Sequence, residues 1–262
     1  MRRLFTLLTV LMLCLLGTVS TRAAGGSAEA PLEIATLDSV TAQIVQFLGG
    51  PYIRVEATGT SRGAKKKFEA ADYVFPLDRE QYEQIPSSMR SGIDSKVRYL
   101  SPEGVRKTAQ EFPFEPAILP YVAQQTAAVL GDVLPKRRSY FQRRLGEFDA
   151  KLNAVLATGR RRLNGRRILC ASQFMIPFLH SFGADVRPVQ AADYKIFSAA
   201  ASAAEYKTAQ KLLEPYKSVP LLLDWTTDVR VRNVLKRHTE AVVLSDTGGD
   251  LLHAIYTAIL EL

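Results

Sequence analysis

Five apolar side chains set the terms on which this chain can fold. Phe141, Leu145, Phe148, Leu152 and Val155 recur at i, i+4, i+7, i+11 and i+14. That spacing is one apolar stripe on a helix, sustained for more than four turns. Pro135 stands where a first helical turn tolerates proline, and Gly159 marks the expected stop. The helix predicted over 135–158 is about 36 Å long at 1.5 Å per residue. That is long enough to run along two lobes.

The flanks of this helix carry alternating strand and helix signals. Before it, strands are expected over 32–37, 52–57, 71–77 and 97–100. Helices are expected over 39–48, closed by Gly49-Gly50, over 80–89 with an interruption near Pro86, and over 121–133. A Gly/Ser/Thr-rich loop over 58–64 runs into the basic triplet Lys65-Lys66-Lys67. After the long helix, strands are expected over 167–171, 185–189, 219–224 and 241–244, with helices over 172–182, 200–216, 228–238 and 249–262. Strands alternating with helices at this spacing imply parallel sheets. The fold class is therefore α/β: two parallel-sheet lobes joined by one long α-helix. A ligand cleft is expected between the lobes, at loops leaving the carboxyl ends of the strands.

The amino terminus reads differently. Arg2 and Arg3 precede an apolar run over 4–17, too short to span a bilayer comfortably and right for the h-region of an export signal. Ala28-Glu29-Ala30 has the form of a cleavage site, with Ala23-Ala24 as a rival. An uncleaved anchor is the other reading of the same run. The expected division is a signal peptide over 1–30, an N-terminal lobe over 31–134, a linking helix over 135–160 and a C-terminal lobe over 161–262. After cleavage one cysteine remains, Cys170, so no internal disulfide is expected.

Charge is unevenly spread. The 262 residues hold 34 Lys plus Arg against 26 Asp plus Glu, a formal net charge of +8. Between Lys136 and Arg167 alone stand 11 basic residues against Glu147 and Asp149. A nucleic-acid surface and a solvated helix face both account for such a run. No aromatic pattern suited to stacking single strands and no nucleic-acid module is recognisable, so the solvated face is preferred. The apolar fraction of 47% excludes a disordered or collagen-like chain. No P-loop, G-x-S-x-G, H-E-x-x-H or G-x-G-x-x-G element occurs, and no enzyme is expected.

Several stretches carry a family resemblance. They are the opening strand and helix ending in Gly49-Gly50, the segment Phe68-Glu69-Ala70-Ala71-Asp72-Tyr73-Val74, and Glu115-Pro116 ahead of a helix. Leu134-Pro135 followed by Tyr140, Gly165-Arg166-Arg167 leading into a strand, Ser202-Ala203-Ala204-Glu205, and Leu244-Ser245-Asp246-Thr247-Gly248-Gly249 complete the set. In order and spacing, from residue 32 to 262, the chain resembles the zinc- and manganese-binding solute-binding proteins of ABC importers. The resemblance implies capture of a divalent metal ion in the periplasm and delivery to an inner-membrane ABC permease, by a monomer that binds no nucleic acid.

That family holds its metal with histidines and carboxylates from both lobes, and here most of those positions have changed. The family's positions fall on Glu111, Ser172 and Asp246, and its loop histidine has no counterpart over 58–65. Asp246 suits metal contact and helix capping equally. His180, His238 and His253 lie elsewhere, on or at the end of predicted helices. Arg62 and Lys65 stand at or near the expected cleft, where cations repel a metal ion and attract an anion. Two further readings follow: a binder of an anionic solute or metal chelate held by Arg62 and Lys65, or an accessory protein that kept the fold and lost the ligand.

Overall fold

A computed structural model describes residues 30–59, 64–101, 115–172, 175–189, 207–208, 211, 214–224, 227, 229–236, 241–244 and 250–262. Two parallel sheets are present among them. The first is three-stranded, in the order β2 (Ile53–Ala57), β1 (Leu32–Thr36), β3 (Tyr73–Val74). The second is four-stranded, in the order β5 (Asp185–Pro188), β4 (Arg167–Cys170), β6 (Leu221–Asp224), β7 (Ala241–Leu244). Every strand pair is parallel, so the predicted class holds.

Helix α1 (Ser39–Gly49) shows how the local sequence makes an element. Asp38, in extended conformation, accepts the Thr41 N–H on Oδ1 at 2.7 Å, the usual N-cap bond. The helix ends where Gly50 takes φ +57 and returns its N–H to the Gln46 carbonyl. Gly50 is also needed sterically, because a Cβ there would meet the Tyr140 hydroxyl at 2.0 Å. Helices α2 (Ala64–Ala70), α3 (Arg79–Glu83) and α4 (Ser87–Arg90) follow. The last two are the single predicted helix over 80–89 split at Pro86, whose ring cannot continue a helix.

The third strand is shorter than the predicted 71–77. Ala71 N–H still bonds back to the Lys67 carbonyl of α2, and Pro76 has no N–H to offer the ladder. The expected strand over 97–100 reduces to one parallel bridge, Val97 to Val74. Likewise β6 starts at Leu221 rather than at 219, because Pro220 contributes only its carbonyl, which accepts the Leu169 N–H at 2.9 Å.

Helix α5 (Leu119–Val133) leads through a 3-10 turn, Pro135–Arg137, into α6 (Arg138–Leu163). The predicted stripe faces inward: Phe141, Phe148, Leu152 and Val155 are at most 2% exposed, and Leu145 is half-buried against the same core. The expected stop at Gly159 is corrected. The helix passes through it to Leu163 and breaks only at Asn164 and at Gly165, whose φ is +71. Gly159 is glycine for packing, since Phe182 lies against it.

The chain then forms α7 (Met175–Ser181), α8 (Val229–Lys236) and α9 (Leu251–Glu261). Of the helix expected over 200–216, most residues lie outside the described set. One continuous apolar core runs from Ile34 of the first sheet through Phe148 of α6 to Ile168 and Leu222 of the second. A second, smaller cluster around Phe68, Val74 and Ile85 lies under α2. Among the described residues no helix is long and apolar enough to cross a membrane.

Candidate ligand site at the carboxyl ends of the strands

In open parallel sheets, ligands bind outside the carboxyl ends of the strands. On the first sheet that edge is closed by hydrogen bonds among its own residues. Thr36, fully buried at the end of β1, donates its hydroxyl to the Asp38 carbonyl at 3.0 Å. Both Asp38 oxygens are engaged: beyond the cap bond, Oδ2 accepts the Thr41 hydroxyl at 2.7 Å and Gln81 Nε2 at 2.8 Å. Gln81 in turn accepts the Leu77 N–H, fastening the end of the third strand to the start of α1. Past β2, Thr58 gives its N–H to the Thr36 carbonyl at 2.8 Å.

On the second sheet the edge carries Ser172 and Asp224, each 1% exposed. Cys170 of β4 pairs with Leu222 of β6, and Ser172 and Asp224 each lie two residues farther on, at the same edge of the sheet. Ser172 Oγ accepts the Met175 N–H at 3.3 Å and so serves the first turn of α7. Asp224 Oδ1 accepts both the N–H and the hydroxyl of Thr227, at 2.8 and 2.9 Å. Asp224 is the residue that reading the sequence passed over. Its signal was present: it is the carboxylate that closes the apolar run Leu221-Leu222-Leu223, at the strand end where rims carry function.

Cys170 lies beneath this edge, fully buried and free. Burial pushes its thiol up to about 12, a smaller lowering by backbone hydrogen bonding at Ser172 opposes this, and the Asp224 charge adds to the rise. A thiol that is neither ionised nor accessible is no nucleophile. Ellman's reagent should therefore leave Cys170 unmodified in the native protein and titrate it only after denaturation; prompt labelling of Cys170 in the native state would contradict this burial.

The remaining predicted site residues are distributed as follows. Arg62, Glu111 and Asp246 lie outside the described residues. Lys65 is described, in the first turn of α2, with its side chain 55% exposed and its Nζ 3.8 Å from Glu69 Oε1. It belongs to a solvated helix face, as does Lys67, which is ion-paired with Glu56. Of the histidines, His180 and His253 are exposed on α7 and α9, and His238 is outside the described set. Among the described residues no group of three or more His, Cys, Asp or Glu is placed to hold a metal. The described edges thus offer buried oxygens, mostly committed to their own loops.

No protein-family model and no curated protein sequence matches the chain. Solved structures do. A crystal structure of ZnuA superposes with a TM-score of 0.62 at 11% identity, covering 88% of this chain and 97% of that one. The Zn(II)-bound ZnuA-like domain of Streptococcus pneumoniae AdcA gives 0.61 at 14% identity, covering 88% and 98%. A Mn-bound periplasmic metal binding protein from Candidatus Liberibacter asiaticus gives 0.55 at 12% identity, covering 88% and 97%. At such identities the likeness is one of fold, and it is the fold that the layout of strands, helices and one long helix resembled.

Proposed function

We propose that this chain is an exported solute-binding protein of an ABC import system, which takes up its cargo in the periplasm as a monomer and hands it to an inner-membrane permease. In this reading residues 1–30 are the signal removed on export, 31–134 and 161–262 are the lobes, and 135–160 link them. One observation carries it: the two-sheet fold with its long helix is shared, over 88% of the chain, with ZnuA and with zinc- and manganese-bound proteins.

The cargo is a divalent cation, zinc or manganese, held by a thinned ligand set. Zinc sites draw on about four N, S or O ligands near 2.0–2.3 Å, and the histidines that usually supply them are missing from the family's positions. Glu111 and Asp246 contribute two carboxylates, a pair better suited to a harder ion. Ser172 contributes least, because its hydroxyl is neutral and already accepts the Met175 N–H. The role is capture and release, not catalysis.

Calorimetry on exported, chelator-stripped protein tests this. Zinc and manganese should bind, but far more weakly than the nanomolar range, and Asp246→Ala should abolish what remains. A stoichiometric nanomolar transition would mean that other residues supply the ligands. Loss of binding to an anionic solute in Arg62→Ala, with Asp246→Ala unaffected, would replace the metal by an anion. No heat with either class, and no ion in elemental analysis, would leave an accessory protein without cargo.

A further inference from the structure

The outer face of α6 carries a second feature that the transport reading leaves unused. Opposite the buried stripe, Arg143, Gly146, Ala150, Ala154, Ala157 and Arg161 recur at three- and four-residue spacing, all exposed. Two basic groups about 27 Å apart, at 1.5 Å per residue, thus flank a low ridge of small side chains. Cations extend the row at each end: Lys136, Arg137 and Arg138 before it, Arg162, Arg166 and Arg167 after it. From 135 to 167, nine of the nineteen exposed positions are Lys or Arg and none is Asp or Glu.

Of the two acidic residues of this segment, one is neutralised by ion pairs and the other is turned inward. Glu147 is half-buried between Arg143 and Arg144, ion-paired with both. Asp149 is turned inward, with Oδ1 out of reach of solvent and its pKa raised by burial. The inward cations are also committed. Arg144 and Lys151 lie over the Phe47 ring at 4.0 and 5.1 Å, and Lys151 pairs with Asp250 at the start of α9. What remains outward is a helix face rich in cations, of which Arg138, Arg143 and Arg167 pair with Asp132, Glu147 and Asp185 at its margins, while Arg160, Arg161, Arg162 and Arg166 crowd its far end.

We propose that the exposed ridge of α6 is a docking surface for anionic phospholipid bilayers, with the helix lying flat on the headgroups. The charge complementarity is direct, and most of the cations are arginines, whose planar donors engage phosphate oxygens in pairs. The small residues between the two basic ends let both ends reach one plane. No exposed aromatic stands on the ridge to stack bases, which disfavours single-stranded nucleic acid.

Co-sedimentation tests it, with protein recovered as the cell exports it. The vesicles are phosphatidylglycerol mixed with phosphatidylcholine, against phosphatidylcholine alone. Binding should require phosphatidylglycerol and weaken steeply with salt. Each cation near such a surface contributes about a factor of five, so Arg143→Gln, Arg161→Gln and Arg166→Gln together should reduce binding about a hundredfold. The same number of charges removed elsewhere, Lys66→Gln, Arg79→Gln and Lys217→Gln, should change it little, and the melting profiles of both triples should match the parent's. Equal losses in the two triples would make the attraction one of net charge and overturn the site. Salt-insensitive binding, or binding to duplex DNA that exceeds binding to the anionic vesicles, would overturn it as well. None of these outcomes depends on whether the protein carries a metal.

Discussion

Replacing Phe148 by alanine is expected to destabilise the protein by about 3–5 kcal/mol, the range for deleting a fully buried aromatic ring. Phe148 is 1% exposed, and its ring meets Phe47 of α1 edge-on at 5.8 Å and 66°. The edge-to-face contact adds to the area term. The cavity would open where α1 and α6 meet, inside the core that both sheets share. Collapse to fill it is opposed from outside, because Arg144 and Lys151 already lie across Phe47. Guanidinium unfolding of the variant should show a lower midpoint with little change in slope, as for a loss of stability without a change in compactness. A loss under about 1 kcal/mol would mean that α6 does not present this face to the core. Leu145→Ala, at a half-buried position on the same stripe, should cost less.

Two glycines on α6 should respond to alanine with opposite signs. Intrinsic propensity favours alanine over glycine in a helix interior by about 1 kcal/mol. At Gly146 nothing lies within 4 Å of a new Cβ, so Gly146→Ala should recover most of that gain. At Gly159 the new Cβ would stand 2.4–2.6 Å from the Phe182 ring. Phe182 is 1% exposed and packed against Phe178, so it has little room to yield. Overpacking of this kind costs about 1–3 kcal/mol and in tight sites more, which outweighs the propensity gain. Thermal or chemical unfolding of the two variants against the parent decides it. Stabilisation by Gly159→Ala would show that α6 and α7 are farther apart than the structure has them, and destabilisation by Gly146→Ala would show a backbone that is not helical there.

The candidate site divides along a similar line. The polar side chains at the sheet edges were visible in the sequence, but their use was not. Ser172, a candidate ligand position, also accepts the Met175 N–H at the start of α7. Lys65, a candidate anion contact, has its ammonium beside the Glu69 carboxylate. A hydroxyl or an ammonium has the same identity in either role, and only its neighbours choose between them.

By itself the sequence determined the elements and their order. Periodicities of 3.6 and 2 and turn residues at the boundaries are local properties, and they suffice for the strand-helix alternation, the inward stripe of α6 and the stop of α1 at Gly50. Whether Gly159 ends a helix or makes room for Phe182 was settled only by contact between residues 23 positions apart. The same holds for the arrival of Ser172 and Asp224 at one edge of the second sheet, beyond the paired residues of β4 and β6, and for the inward turn of Asp149 beneath a basic ridge. Steric exclusion and electrostatics act through space over a few ångströms, and a linear pattern does not record which distant residues come that close.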